Sequence, residues 1–263
     1  MVRLPRFAGR HYFADPGRLR ASVESFIEDA PAASVPGALC ALIVPRGAHP
    51  ECGPLAGCAY KLLLSVPLPS ALTVLLAPSA VAADDASAVL CDPADAYATP
   101  LDLMAIAAPA LDELGRAGIA VLRVPDDEPT IEDHLPFIQV ATGDTQCLPL
   151  RIPAGARPAE GNWAPVAERF GLIIAAANLP QSQEQAACDA IARLDLRFFT
   201  GQAPAARPGI LKGWLGAGGH TSAAPSADAS VLALAIRLAK LKGARHAKLL
   251  GRQGNLAAFA LYR

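Results

Sequence analysis

The chain has 263 residues, of which 52% are hydrophobic and 18% charged, so it can bury a large core and is too apolar to be disordered. Its formal net charge of -1 does not favour binding to nucleic acid or to a membrane surface. No apolar run approaches the roughly 18 residues that a transmembrane helix requires, and the first ten residues lack the apolar core of a secretory signal. The composition therefore predicts a cytoplasmic protein that binds neither nucleic acid nor membrane.

Strands and helices alternate along the first half of the chain. Asp15 and Pro16 are typical of the cap and the first residue of a helix, and the apolar residues that follow recur at helical spacing over residues 16–29. The other elements predicted in this half are a strand at 38–45, a helix at 54–66, a strand at 71–77, a helix at 108–117, a strand at 119–124 and a helix at 130–141.

The alternation continues in the second half, and the stretch 201–225, rich in Gly, Pro and Ala, predicts a long surface loop near a site. The elements predicted here are a strand at 147–152, a helix capped by Asn162 and ending at 170, a strand at 172–177, helices at 180–199 and 227–242, and strands at 247–251 and 256–262. Continuous apolar strands separated by helices are typical of a parallel or mixed sheet covered on both faces. We therefore predict a single α/β layered domain over residues 1–263.

Ligands of such sheets bind beyond the carboxyl ends of the strands, so the residues there are the candidates for a site. They are Arg46, Ser79, Ala80, Glu128, Asn178 and Gln181, to which the turn after residue 45 adds His49 and Cys52, and the glycine-rich stretch 213–220 adds His220. The sequence contains no phosphate-binding loop, no dinucleotide fingerprint, no nucleophile elbow and no H-E-x-x-H motif. We predict no catalytic residue in this set.

Each candidate also has a purely structural interpretation. Arg46 could be an ion-paired residue that closes a turn, His49 an exposed turn residue, and Asn178 the cap of the following helix. His134 fits a helix surface or a core position with its hydrogen bonds satisfied. Glu132 and Asp133 are predicted to form a solvated acidic face of the helix. The six cysteines form no C-x-x-C pair and are predicted to be small buried residues, except Cys52 in its turn beside His49.

Several segments resemble one known family in sequence and in order. The opening A-G-R-H-Y-F-A-D-P (8–16) resembles the AGRFYPADP opening of the Memo family, known in prokaryotes as protein B of the AmmeMemoRadiSam system. The other matching segments are 43–60 (similar to IVPHAGYxYSGPVAAxAY), 75–80 (LGPNH), 97–102 (W-x-TPLG), 128–139 (EHSIEVQLPFLQ) and 176–181 (SSDLSH). The resemblance covers nearly the whole chain and implies the fold of class III extradiol dioxygenases.

The departures from the family pattern fall on its metal-binding pocket. The resemblance implies a pocket of the His/His/Cys type at the strand ends. This sequence instead has, at the corresponding polar positions, Arg46, Ala80, Pro129, Asn178 and Gln181. The expected cysteine falls near Ala227 or Thr221, and no cysteine follows residue 188. Because arginine is always protonated and cannot bind a metal ion, we predict neither a metal nor a cofactor.

Three hypotheses about function follow. The favoured one is a catalytically degenerate Memo-like protein that serves as a binding or scaffold subunit, its pocket lost or converted to bind a small anion. In that case Arg46 would hold Glu128, Glu132 or the anion. The second is a subunit of a larger complex whose protein partner covers the mouth of the pocket. The third is an enzyme of oxidoreductase or lyase type with a rebuilt site, which uses Arg46 with an anionic substrate or a metal held by His49, Cys52, His134 or His220.

Overall fold

The computed structural model describes residues 1–66, 72–82, 85, 87–143, 145–200 and 225–263. Its strands are β1 Val2–Arg3, β2 Leu39–Val44, β3 Leu72–Ser79, β4 Val89–Cys91, β5 Ala96–Ala98, β6 Leu103–Ala105, β7 Val121–Arg123, β8 Gln146–Pro153, β9 Leu172–Ala176, β10 His246–Gln253 and β11 Leu256–Tyr262. Its helices are α1 Pro16–Asp29, α2 His49–Tyr60, α3 Ala108–Arg116, α4 Pro129–Thr142, α5 Ala164–Ala167, α6 Glu184–Ala192, α7 Arg197–Thr200 and α8 Ala227–Leu241.

The described strands form a large mixed sheet and a small one. The eight-stranded sheet has the order β10-β11-β2-β9-β3-β8-β4-β7, in which β2, β9, β3 and β8 run parallel. Apart from the first residue of β3 and of β8, these four strands are buried throughout, as their largely apolar sequences predict, and β8 also buries Arg151. The hairpin β10-β11 joins β2 antiparallel, and β1, β5 and β6 form the small sheet.

Helices flank the large sheet and complete the core. Helix α8 packs on the parallel strands, and its long buried face includes Val231, Leu234 and Leu238. Helices α2 and α4 also pack on the sheet, and α1 packs on both of them. The buried apolar residues form one cluster that extends from Tyr12 to Leu261. The predicted α/β architecture is therefore confirmed.

Helix α1 matches its prediction at both ends. Asp15 is its cap, with the Oδ1 atom accepting a hydrogen bond from the Arg18 backbone nitrogen at 2.8 Å, and Pro16 is its first residue. The predicted helix at 54–66 instead begins at His49, so His49 and Cys52 lie in the first turn of α2. Pro50 permits this early start, because a proline in the first helical turn lacks only a donor that would have no partner there.

Two predicted helices are wrong. The helix expected at 180–199 begins only at Glu184, after Ser182 with its left-handed φ of 60°. It is then divided into α6 and α7 by Leu194, whose φ is 52°. The helix expected after Asn162 is reduced to α5, and Asn162 does not cap it. Trp163 is fully buried there, and its indole nitrogen donates to the Pro158 carbonyl at 2.6 Å.

Strands β1, β4, β5 and β6 were not predicted, because none of these two- or three-residue strands lies within a longer apolar run that would indicate it. Most of the predicted loop at 201–225 lies outside the described residues. Among the described helices, none combines the length and apolar character needed to cross a membrane.

Candidate functional site

Three adjacent parallel strands end beside one another and place their following residues at one edge of the sheet. Strands β2, β9 and β3 are neighbours in that order, and Val44 of β2 is paired with Ala176 of β9. The candidates Arg46, Asn178 and Ala80 follow these strand ends. The structure therefore brings these three positions to the same edge, as the sequence predicts.

Arg46 forms a two-point ion pair with Asp228 in the first turn of α8. The Arg46 Nε atom lies 2.7 Å from Asp228 Oδ1, and Nη2 lies 2.8 Å from Oδ2. The hydrogen bonds that Arg46 donates to Asp228 raise the pKa of Arg46 against the opposing effect of burial. The carboxylate also lies where the positive end of the helix dipole stabilises it. Arg46 thus closes a turn as an ion-paired residue, with Asp228 as its partner in place of the expected Glu128 or Glu132.

Asn178 ties the ends of β2 and β9 together. Its Oδ1 atom accepts from the Arg46 backbone nitrogen at 3.0 Å, and its Nδ2 atom donates to the Arg46 carbonyl at 3.2 Å. The Asn178 backbone nitrogen donates to Asp228 Oδ1 at 2.9 Å. The predicted helix cap is therefore wrong, because this side chain is satisfied by the neighbouring strand. We call Arg46, Asn178, Asp228 and Cys52, whose thiol lies 3.2 Å from the Arg46 carbonyl oxygen, the strand-end cluster.

Glu128 fixes the end of β3. Its Oε1 atom accepts from the Ser79 hydroxyl at 2.5 Å and from the Ala80 backbone nitrogen at 3.0 Å. The guanidinium of the buried Arg151 lies 3.9 Å from the same carboxylate. Glu128 thus stabilises the strand end itself. Of the remaining candidates, Gln181 is exposed, and His220 lies outside the described residues.

His49 and His134 are directed into the protein interior. The Nε2 atom of His49 lies 2.7 Å from the Asp133 carbonyl oxygen, and its ring packs 4.9 Å from that of Phe137. His134 contacts the Tyr60 hydroxyl through Nδ1 at 3.2 Å. Burial lowers the pKa of His49 to about 4 and that of His134 to about 3. The alternatives of an exposed turn for His49 and a helix surface for His134 are therefore wrong.

All six cysteines are buried and free, including Cys52, for which the sequence predicted an exception. Burial raises the pKa of the Cys52 thiol to about 11, so it is protonated at neutral pH. The described residues contain no group of three or more His, Cys, Asp or Glu side chains that could hold a metal ion.

The residues at the strand ends do not suit the metal pocket that the resemblance implies. Divalent transition metals require imidazole, thiolate or carboxylate donors. In the strand-end cluster the only carboxylate is Asp228, and Arg46 binds both of its oxygen atoms. The guanidinium would also repel a cation placed beside it. The donor set therefore does not fit a metal, and we derive no chemistry through one.

The sequence interpretation missed two kinds of residue. Asp228 lies one position after Ala227, where the family cysteine was expected. An acidic residue so close to a ligand position was the sequence signal that it belongs to the site. Glu132 and Asp133 were predicted to be solvated, yet their exposed fractions are 0% and 1%. The signal for Asp133 was His11, which stands where the family opening has phenylalanine. The His11 Nδ1 atom lies 3.0 Å from Asp133 Oδ2.

The two buried histidines predict a loss of stability in acid. Their folded pKa values lie below the ordinary value of 6.5, so their contribution is complete above pH 6.5 and is lost as the pH falls toward 4. Between about pH 7.5 and about pH 4.5, we expect each to lower the free energy of unfolding by about 2 to 3 kcal/mol. Urea unfolding of the His134→Gln variant should show a pH difference smaller by that amount. The exposed His246→Gln control should keep the wild-type difference, and a His134→Gln variant that also kept it would refute the assignment.

A mixed α/β sheet with polar residues gathered beyond the ends of its parallel strands is consistent with the Memo and class III extradiol dioxygenase-like fold. The sequence model of the family described as Memo-like protein matches residues 3–165, more than half of the chain, and the chain therefore belongs to that family. A comparison with curated proteins found no match. Asn178 and Asp228 both lie beyond the matched residues.

Proposed function

We propose that this Memo-like chain is catalytically degenerate and serves in the cytoplasm as a binding or scaffold subunit with a protein partner. The observation that carries the proposal is the two-point ion pair between Arg46 and Asp228 at the strand ends. A bound metal would link the end of β2 to α8 through its ligands. The ion pair makes the same link with two opposite charges and leaves no donor for a cation.

The ion pair favours loss of the pocket over its conversion to an anion site. The positive charge of Arg46 is already balanced by Asp228, and two of its three guanidinium nitrogens are engaged. An incoming anion would have to compete with a carboxylate that the fold holds in place. The hypothesis of an enzyme that binds an anionic substrate at Arg46 is weakened for the same reason.

A relocated metal site receives no support from the described residues. His49 is hydrogen-bonded to the Asp133 carbonyl, and His134 to the Tyr60 hydroxyl. The Cys52 thiol lies within hydrogen-bond distance of the Arg46 carbonyl oxygen. These three side chains are held by separate partners and do not converge on a common point. The described strands and helices nevertheless share one packed core, which supports a retained role in binding a partner.

Metal analysis of the purified protein tests the loss of metal chemistry. We expect protein expressed in metal-supplemented medium to contain no stoichiometric iron, copper or zinc, because the strand-end cluster lacks suitable donors. A Memo-like protein with an intact P-H-A-G turn, purified in the same way, controls for loss of metal during preparation. Stoichiometric metal in the wild type that disappears in the Arg46→Ala/Asp228→Ala double variant would overturn the proposal.

The scaffold role is tested by assembly. We expect size-exclusion chromatography with light scattering to show a complex between this chain and a product of a neighbouring gene. A chain that stays alone with each of those products would contradict the partner part of the proposal, and the metal analysis would still test the other part.

A further inference from the structure

The N-terminal segment forms one wall of a groove that shares no residue with the strand-end cluster. The groove has a volume of about 650 Å³ and lies between residues 9–15, helix α1 and the start of α2. Arg18, Ser22 and Phe26 line it from α1, and His49 and Pro50 line it from α2. We call it the N-terminal groove. Its volume is within the range of pockets that bind small molecules.

Aromatic rings dominate the walls of the N-terminal groove. Tyr12 and Phe26 line it, and Phe13 keeps 40% of its surface exposed although it is a large apolar side chain. The His49 ring continues this wall, 5.4 Å from the ring of Tyr12 and 6.4 Å from that of Phe26. An apolar body of a ligand would therefore gain contact area with rings that the fold already holds in place.

Two arginines give the N-terminal groove a positive charge. The guanidinium carbons of Arg10 and Arg18 lie over the rings of Phe7 and Phe13, at 5.3 Å and 4.2 Å from the ring centres. Within the described part of the chain, neither arginine forms an ion pair with a carboxylate. The one carboxylate in the lining, Asp15, is engaged as the cap of α1.

Two histidines add polar atoms that lack protein partners. His11 lines the groove with 29% of its side chain exposed, and its Nδ1 atom is held by the buried Asp133 carboxylate. This contact leaves Nε2 as the ring nitrogen that a ligand can meet. His49, whose residue is 4% exposed, lines the same groove, and its Nδ1 atom has no hydrogen-bond partner. The groove therefore combines apolar walls, unpaired positive charge and free imidazole nitrogens.

We propose that the N-terminal groove binds a small carboxylate with an apolar body. The carboxylate would lie against Arg18, Arg10 and His11, because a planar two-oxygen group matches the guanidinium fork. The apolar body would lie against Phe13, Phe26 and the His49 ring. This site is independent of the proposed loss of metal chemistry at the strand ends.

Amide chemical shifts measured by NMR during titration with octanoate test the proposal. We expect saturable shifts at residues 9–15 and at His49, and binding of the neutral analogue octanamide at least about tenfold weaker, because it lacks the charge that the arginines recognise. The Arg18→Gln variant should also bind octanoate about tenfold more weakly. Arg20→Gln is the matched control, since Arg20 is an exposed arginine of the same helix outside the groove, and it should bind like the wild type.

Three outcomes would overturn the inference. The first is equal binding of octanoate and octanamide, which would exclude recognition of the charge. The second is an equal loss of affinity in the Arg18→Gln and Arg20→Gln variants, which would reflect the net charge of the protein alone. The third is the absence of shifts in the groove, or shifts confined to the strand-end cluster. Because both substitutions are on an exposed helix surface, neither should prevent folding.

Discussion

Replacing Glu132 with alanine is expected to lower the free energy of unfolding by about 3 to 5 kcal/mol, because it removes one partner of a buried ion pair. Glu132 is completely buried, and the side chain of its partner Arg3 is 5% exposed. The Arg3 Nη1 atom lies 2.6 Å from Glu132 Oε2. The variant would leave the arginine charge inside the protein without this carboxylate.

The same carboxylate holds the N-terminal segment against α4. It accepts from the Tyr12 hydroxyl at 2.5 Å and from the backbone nitrogens of Arg6 at 3.0 Å and Phe7 at 2.7 Å. Burial alone would raise the pKa of Glu132. The hydrogen bonds that its carboxylate accepts from Tyr12, Arg6, Phe7 and Arg3 together outweigh burial, so the pKa lies below its ordinary value. Hydrogen exchange at residues 6–12 should therefore accelerate in the variant as well.

Urea unfolding at neutral pH measures this effect. The matched control is Glu160→Ala, which removes an exposed carboxylate 3.9 Å from Arg157 and should change the unfolding free energy by less than about 0.5 kcal/mol. If Glu132→Ala lowered the free energy of unfolding no more than Glu160→Ala does, the buried Arg3–Glu132 ion pair would not stabilise the fold.

The second large effect is expected at Gly57, where α1 and α2 approach closely. A Cβ atom at this position would lie 2.0 Å from the carbonyl oxygen and 2.6 Å from the carbonyl carbon of Phe26. Both atoms belong to the backbone, so a helix would have to move to admit a methyl group. We expect Gly57→Ala to lower the free energy of unfolding by about 3 kcal/mol.

Gly115 provides the matched control for this substitution. It also lies within a helix, α3, but a Cβ atom there would meet no atom within 4 Å. Alanine at that position should raise the free energy of unfolding by about 0.5 to 1 kcal/mol, because it restricts the unfolded chain and favours the helix. The two variants should thus shift the melting temperature in opposite directions. Destabilisation of similar size in both would show that helix packing at Gly57 is not the cause.

The sequence predicted the parallel core because its strands are buried on both faces and are therefore largely apolar, although β8 also carries the buried Arg151. It also predicted α1, whose cap and periodic residues are local signals. Local signals failed for the helix expected at 180–199, where the left-handed angle of Leu194 interrupts the chain and no glycine marks the position. The loss of the family's histidines at the strand ends could likewise be seen in the sequence, because each falls within a short recognisable segment.

By itself, the sequence determined the layered α/β class, the Memo-like resemblance and the absence of the expected ligands at the strand ends, because these depend on short segments and their order. Only the tertiary structure decided that Arg46 pairs with Asp228, which is 182 residues away along the chain, and that Glu132 is buried beneath the N-terminal segment. Partners so distant leave no periodic trace in the sequence. A charged residue on a helix has the same sequence pattern whether solvent or another segment covers it. Here residues 3–12 pack against α4 and bury Glu132.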